Sequence, residues 1–177
     1  MTTILVTGPE ASGTKMVARM LAEAGGTVLH KPMPMSTRYP DLTDPSKLAH
    51  PDGLWHDFTS FEWDQAVVII RHPAWTVAAQ ADIGHTRSID HAIERTRQAL
   101  VNIFAQLGPS GRPWWCVSYE GLEKREAVAA LCDLLGLDGT VVTGYRDANA
   151  KWYGGAHWSD RSPLWRARPG VDPPVEE

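Results

Sequence analysis

Apolar and polar positions along the chain alternate between two periods. Thr3 to Thr7 is a short β-branched run closed by Gly8-Pro9, which predicts a buried strand. Residues 15–24 switch to helical spacing, with Met16, Val17, Met20, Leu21 and Ala24 on one face and Gly25-Gly26 as the stop. Thr27 to His30 predicts a second strand. Ala66 to Ile70 predicts a third, closed by Arg71-His72-Pro73, and Pro73 suits the first turn of a helix reaching about Asp82. Ser88 has the chemistry of an N-cap. Behind it, Ile89, Ile93, Thr96, Leu100, Ile103 and Leu107 recur at spacings of four and three and predict an amphipathic helix ended by Gly108-Pro109. Trp114 to Ser118 predicts a fourth strand. Residues 123–135 predict a helix with Val128, Leu131 and Leu135 facing inward and Gly136 closing its C-terminus. Residues 140–143 predict a last short strand.

Strands alternating with helices imply an α/β fold of three layers, α/β/α, around a mainly parallel sheet of about four to five strands. Two stretches break the pattern. Lys31 to Trp63 carries five prolines and little periodicity, with room for a short helix. So long a connection in a compact domain is usually functional. Patterning fades again after Arg146, and Pro169 to Glu177 predicts a disordered tail. One domain over residues 1–168 is expected, from a chain of 177 residues without internal repeats.

Composition narrows the function classes. A net charge of −4 argues against a general nucleic-acid binder or a binder of anionic membranes. The two cysteines, Cys116 and Cys132, have no CxxC partner, so zinc ligation is not expected and both are read as small buried hydrophobes. No apolar run approaches the ~18 residues of a membrane span. Met1-Thr2-Thr3 runs into Ile4-Leu5-Val6 without a basic leader, so a cytoplasmic setting is the expectation. Eight tryptophans lie mostly outside the predicted elements and point to a Trp-lined surface or pocket.

The chemistry concentrates between the first strand and first helix, in Gly8-Pro9-Glu10-Ala11-Ser12-Gly13-Thr14. Glycines let successive amides turn toward one point, and the helix adds unpaired N–H groups and its positive dipole end. That arrangement suits phosphate or sulfate, with Ser12 and Thr14 as hydroxyl donors. Gly8 and Gly13 have the separation of G-x-x-x-x-G-K-[ST], but Thr14-Lys15 reverses its last pair. One helical residue is about 100° of rotation, so Lys15 aims elsewhere and no hydroxyl takes the Mg²⁺ position. The third strand ends in Arg71, a cation where metal handling wants an anion.

These segments resemble the PAPS-dependent sulfotransferase family. The run Ile4 to Thr14 is similar to its first signature, a strand leading to a Ser-Gly-Thr loop on the 5′-phosphosulfate of 3′-phosphoadenosine 5′-phosphosulfate (PAPS). Val67 to Pro73 resembles its second, a strand ending in Arg-x-Pro whose arginine holds the 3′-phosphate. Val117-Ser118-Tyr119-Glu120-Gly121-Leu122 and the helix ending Leu-Leu-Gly-Leu at Leu137 resemble later segments, in family order. The resemblance implies a P-loop-like fold and PAPS held by Gly8, Pro9, Glu10, Ala11, Ser12, Gly13, Thr14, Lys15 and Arg71. Beyond the stretch it covers, Lys151 and Trp152 have two readings, a phosphate contact with a stacking ring or a tail packed on the domain. The resemblance also implies sulfuryl transfer without metal to a hydroxyl or amine of a small molecule, glycan or peptide, with 31–63 on the acceptor side. Lys15, His56 and Glu10 are the catalytic candidates, and His30 and Asp57 further candidate bases. The chain departs from the family pattern at Ala11, where a cation often stands, and at Ala79, followed by Gln80, where a serine often shares the 3′-phosphate. His72 is read as packing its turn, and Asp82, His85 and His91 as a solvated helix end rather than metal ligands. Two other readings stay open: a small P-loop kinase using ATP, for which the Gly-Pro-Glu-x-Ser-Gly opening speaks, and a nucleotide-binding protein without catalysis.

Overall fold

A computed structural model of the chain describes residues 2–33, 56–82, 86 and 88–138. Four strands form one sheet: β1 (Thr3–Thr7), β2 (Thr27–His30), β3 (Gln65–Ile70) and β4 (Trp114–Ser118), in the order β2-β1-β3-β4. Every pairing is parallel, with Val6 opposite His30 on one side and Val67 on the other, and Val68 opposite Cys116. Parallel neighbours require crossovers, and helices supply them. These are α1 (Thr14–Glu23), α2 (Pro73–Asp82), α3 (Ile89–Leu107) and α4 (Arg125–Leu134). The fifth strand expected at 140–143, the tail and Lys151 lie outside the described residues, as do residues 34–55 of the long connection.

Side chains alternate across the sheet, so each face builds its own core. Ile4, Val6, Val67 and Ile69 meet Val17 and Leu21 of α1 and Leu131 and Cys132 of α4. Leu5, Ala66 and Val68 meet Ala99, Ile103 and Leu107 of α3, together with Phe58 and Trp63. Helices on both faces make the expected three layers. The apolar stripe read for α1 is buried at all five positions, and Ser88 caps α3 by accepting a hydrogen bond from His91 N. Among the described residues no helix is long and apolar enough to cross a membrane.

Three expectations need correction. Ile89 and Ile93 do not face the core; they are 41% and 52% exposed, while Ala92, Arg95, Thr96 and Ala99 are buried in the first half of α3. The face turned inward includes Arg95, whose buried ion pair is described below. Cys116 is exposed, because β4 ends the sheet among the described residues and turns Trp114, Cys116 and Ser118 to one open face. The last helix begins at Arg125 rather than 123, after a 3₁₀ turn over Glu120–Glu123.

Candidate functional site

The Gly8–Thr14 loop leaves the C-terminal end of β1, the middle of the sheet's hydrogen-bonded run. Gly13 is its hinge: at φ 92° it takes the left-handed conformation and becomes the N-cap of α1. A Cβ there would collide with the Tyr119 ring, and one at Gly8 would lie 2.5 Å from the Ile69 carbonyl oxygen and 2.7 Å from Ser12 Oγ. Both glycines are therefore required by packing as well as by backbone freedom. Ala11 also sits at positive φ, 65°, without being glycine. Such a residue persists only where its surroundings hold it.

They do so from several elements. Met33 N donates to the Gly8 carbonyl at 2.9 Å, and Glu10 N donates to the Met33 carbonyl at 2.8 Å, so the chain after β2 runs alongside the loop. From α2, Gln80 Nε2 donates to the Glu10 carbonyl at 2.9 Å and to Thr96 Oγ1 at 3.1 Å. From α3, Arg95 Nη2 pairs with Glu10 Oε2 at 3.0 Å. From the end of β3, Arg71 Nη1 donates to the Ala11 carbonyl at 3.2 Å, with its guanidinium 5.0 Å from the Tyr119 ring centroid.

This bonding decides which amides face a ligand. Glu10 N–H is spent on Met33, and Ser12 N–H on the Pro9 carbonyl at 3.0 Å. The amides of Ala11, Gly13 and Thr14 make no hydrogen bond among the described residues. In a trans peptide the C=O and the following N–H point oppositely. Gln80, by holding the Glu10 carbonyl, aims the Ala11 amide the other way. The Oγ of Ser12 and Oγ1 of Thr7 are buried without a hydrogen-bond partner. Buried polar atoms are normally paired, so Ser12 Oγ, beside three unspent amides, adds a further donor to a cradle with the chemistry of an anion site.

Basic groups gather on the β2 flank. His30 Nε2 lies 3.0 Å from Thr14 Oγ1. Burial, followed by the charges of Lys15, His56 and Lys31, lowers the His30 pKa to about 4. His56 is lowered as well, by burial and then by Lys31. Both imidazoles are thereby biased to the neutral form at pH 7. On the β3 flank a cleft of about 660 Å³ opens past the ends of β3 and β4, between Arg71, His72, Trp75, Ser118 and Glu120. It lies at the carboxyl ends of parallel strands, where open α/β sheets bind ligands. Glu120 shapes it by accepting from His72 N at 3.0 Å and from Ser118 Oγ at 3.2 Å.

Comparison with protein-family models, with curated proteins and with solved structures returns no match. The site therefore stands on its own geometry. The residues anticipated from the sequence fall into three groups. Gly8, Pro9, Ala11, Ser12, Gly13, Thr14 and Arg71 come together, with Lys15 exposed in the first turn of α1 and His56 near His30. Glu10 turns the opposite way: its side chain is 4% exposed and ion-paired with Arg95, so it braces the loop from behind. Lys151, Trp152 and His85 lie outside the described residues. Among the described residues no group of three His, Cys, Asp or Glu could hold a metal ion. Sequence reasoning missed Arg95, and took Gln80 only as a displaced phosphate ligand. The available signal was a charged residue between Ala92 and Ala99, whose heptad spacing marks the closely packed face.

Proposed function

We propose that the chain is a sulfotransferase of the P-loop-like α/β kind that binds PAPS across the tip of β1. The observation that carries this reading is the position of Arg71, whose guanidinium touches the loop after β1 at Ala11 although 60 residues separate them. An anion cradle and an arginine thus lie side by side, with a nucleoside-sized cleft next to the arginine.

In this reading the amides of Ala11, Gly13 and Thr14 and the Ser12 hydroxyl hold the 5′-phosphosulfate. Arg71 holds the 3′-phosphate as a charge-assisted donor. The acceptor oxygen attacks sulfur, the S–O bond to the 5′-phosphate breaks, and the acceptor's proton passes to a base. His56, lowered toward its neutral form, suits that role; Glu10, tied to Arg95, does not. Lys15 offsets charge on the leaving phosphate in place of the cation that Ala11 cannot supply. Positioning and charge stabilisation do most of the work, as in phosphoryl transfer, and the smaller charge of a sulfuryl group makes a metal dispensable.

The test is a thermal melt with PAP, the desulfated product, in EDTA. A ligand at ~100 times its Kd adds about 2.7 kcal/mol, or roughly 5–10 °C for a domain of this size. PAP is expected to give that rise and Arg71→Gln to remove it. A rise with Mg·ATP and none with PAP would replace this reading with the kinase.

A further inference from the structure

The first amide of the cradle belongs to a turn that its own residues do not favour. Ser12 N donates to the Pro9 carbonyl at 3.0 Å, closing a β-turn over Pro9-Glu10-Ala11-Ser12 with Glu10 and Ala11 at its centre. Among the described residues Ala11, at φ 65°, is the one non-glycine at positive φ. The turn therefore runs from negative φ at Glu10 to positive φ at Ala11. That pattern is type II, whose third position calls for Gly or Asn. Alanine suits type I instead, where the same position lies at about −90°. The two types interconvert when the central peptide turns over. Here both neighbouring peptides are anchored, Glu10 N–H on the Met33 carbonyl and the Ala11 carbonyl on Arg71 Nη1. The Glu10–Ala11 peptide can rotate between them without moving either.

Gln80 holds the less favoured form. Its Nε2 donates to the carbonyl of that same peptide, Glu10 O, at 2.9 Å and to Thr96 Oγ1 at 3.1 Å. Both amide hydrogens are thereby committed, and the reversed amide would set oxygen against the Glu10 carbonyl. Gln80 is fully buried, and its Oε1 has no hydrogen-bond partner. Buried acceptors are normally paired, so this side chain is satisfied at its donor end alone, the end that grips the turn.

We infer that Gln80 is a positioning residue for phosphate or sulfate binding: from the second helix it locks the Pro9–Ser12 turn in type II and so keeps a donor, not an acceptor, facing the anion. As held, the Glu10 carbonyl points to Gln80 and the Ala11 N–H points the opposite way, into the cradle. Turned over to type I, the same peptide would put its carbonyl oxygen where the N–H stood and exchange attraction for repulsion. The balance lies between the Gln80 hydrogen bonds and the preference of residue 11 for negative φ. The inference rests on the sulfotransferase reading only for the choice of PAP as one probe; any tetrahedral oxyanion in the cradle meets the same amide.

Nuclear Overhauser spectra of the full-length, ligand-free protein read the turn directly. Type II brings Glu10 Hα against the Ala11 amide proton; type I brings the two amide protons together instead. Wild type should show the first contact and Gln80→Met the second. Titrated in the same samples with inorganic pyrophosphate and with PAP, Gln80→Met should lose about tenfold or more in affinity. Adding Ala11→Gly to Gln80→Met should restore the type II contact and bring affinity back to within about threefold of wild type, because glycine takes positive φ without support. Should Gln80→Met not fold, Ala11→Val loads the same balance from the other side, since a β-branched residue resists positive φ. It should move the contact and the affinity in the same direction. Type I contacts in wild type overturn the inference. So does a turn or an affinity that Gln80→Met (or Ala11→Val) leaves unmoved, or a loss that Ala11→Gly does not repair. Pyrophosphate binding without PAP binding sinks the sulfotransferase reading and leaves this inference standing; PAP binding with the turn unmoved does the reverse.

Discussion

Replacing Arg95 by Met probes the brace behind the loop. The Arg95 and Glu10 side chains are 7% and 4% exposed and 3.0 Å apart, so the change takes from a buried carboxylate the guanidinium it pairs with. Removing one partner of a buried pair typically costs about 3–5 kcal/mol. Total domain stabilities are about 5–15 kcal/mol, so the loss is a large fraction of the whole. At about 2–4 °C per kcal/mol for this size, the melting temperature should fall by roughly 6–20 °C. Urea unfolding read by tryptophan emission suits the measurement, since Trp63 and Trp75 are buried. The double variant Glu10→Leu, Arg95→Met discriminates. With both partners apolar no charge is stranded, and it should lose clearly less than Arg95→Met alone. A loss below about 1 kcal/mol in Arg95→Met, or a larger loss in the double variant, would refute the brace.

Gly13→Ala places a methyl against the Tyr119 ring at a backbone angle that side chains rarely adopt. It should lower ligand-free stability by about 1–3 kcal/mol in a thermal melt and abolish the PAP-induced rise. For His30 the folded pKa of about 4 lies below the ordinary 6.5, so between these values the unfolded chain binds a proton that the folded one refuses. Its contribution is complete above pH 6.5 and is lost as pH falls toward 4. The full shift would correspond to about 3 kcal/mol, discounted to roughly 1–2 kcal/mol because the imidazole is only partly buried. Urea midpoints from pH 7 to 4.5 should therefore drop more steeply in wild type than in His30→Gln, and equal slopes would contradict the assignment.

Local pattern carried far in this chain where one period ran undisturbed. Thr3–Thr7 and Met16 to Ala24 read correctly because each buries one uniform apolar face. In α3 the pattern misled. Ile89 and Ile93 fit the helical spacing, yet the face turned inward carries Ala92, Arg95, Thr96 and Ala99, with Arg95 paired to Glu10, and the two isoleucines lie outside it. Cys116 reads as interior by its apolar neighbours, but exposure depends on where β4 falls in the sheet, which no local window encodes. The loop was legible as an anion cradle from its glycines and its place between strand and helix. Which amides stay unspent was not, because Met33 and Gln80 decide it from other elements. Glu10 fits a loop carboxylate and so reads as a candidate base. Only its distant partner Arg95 shows it facing inward.

The loop's partners also set a rule for dissecting the chain. Gln80 and Arg95 reach it across sequence separations of 70 and 85 residues. A fragment carrying only the opening strand, turn and helix would hold every residue of the motif and none of its supports. Such a peptide should be unable to hold Ala11 in its unusual conformation, and contacts this remote form late and slowly in folding. Ligand affinity can then be tuned by substitutions in the second and third helices that never meet the ligand, and grafting the motif elsewhere would require transplanting the helices with it.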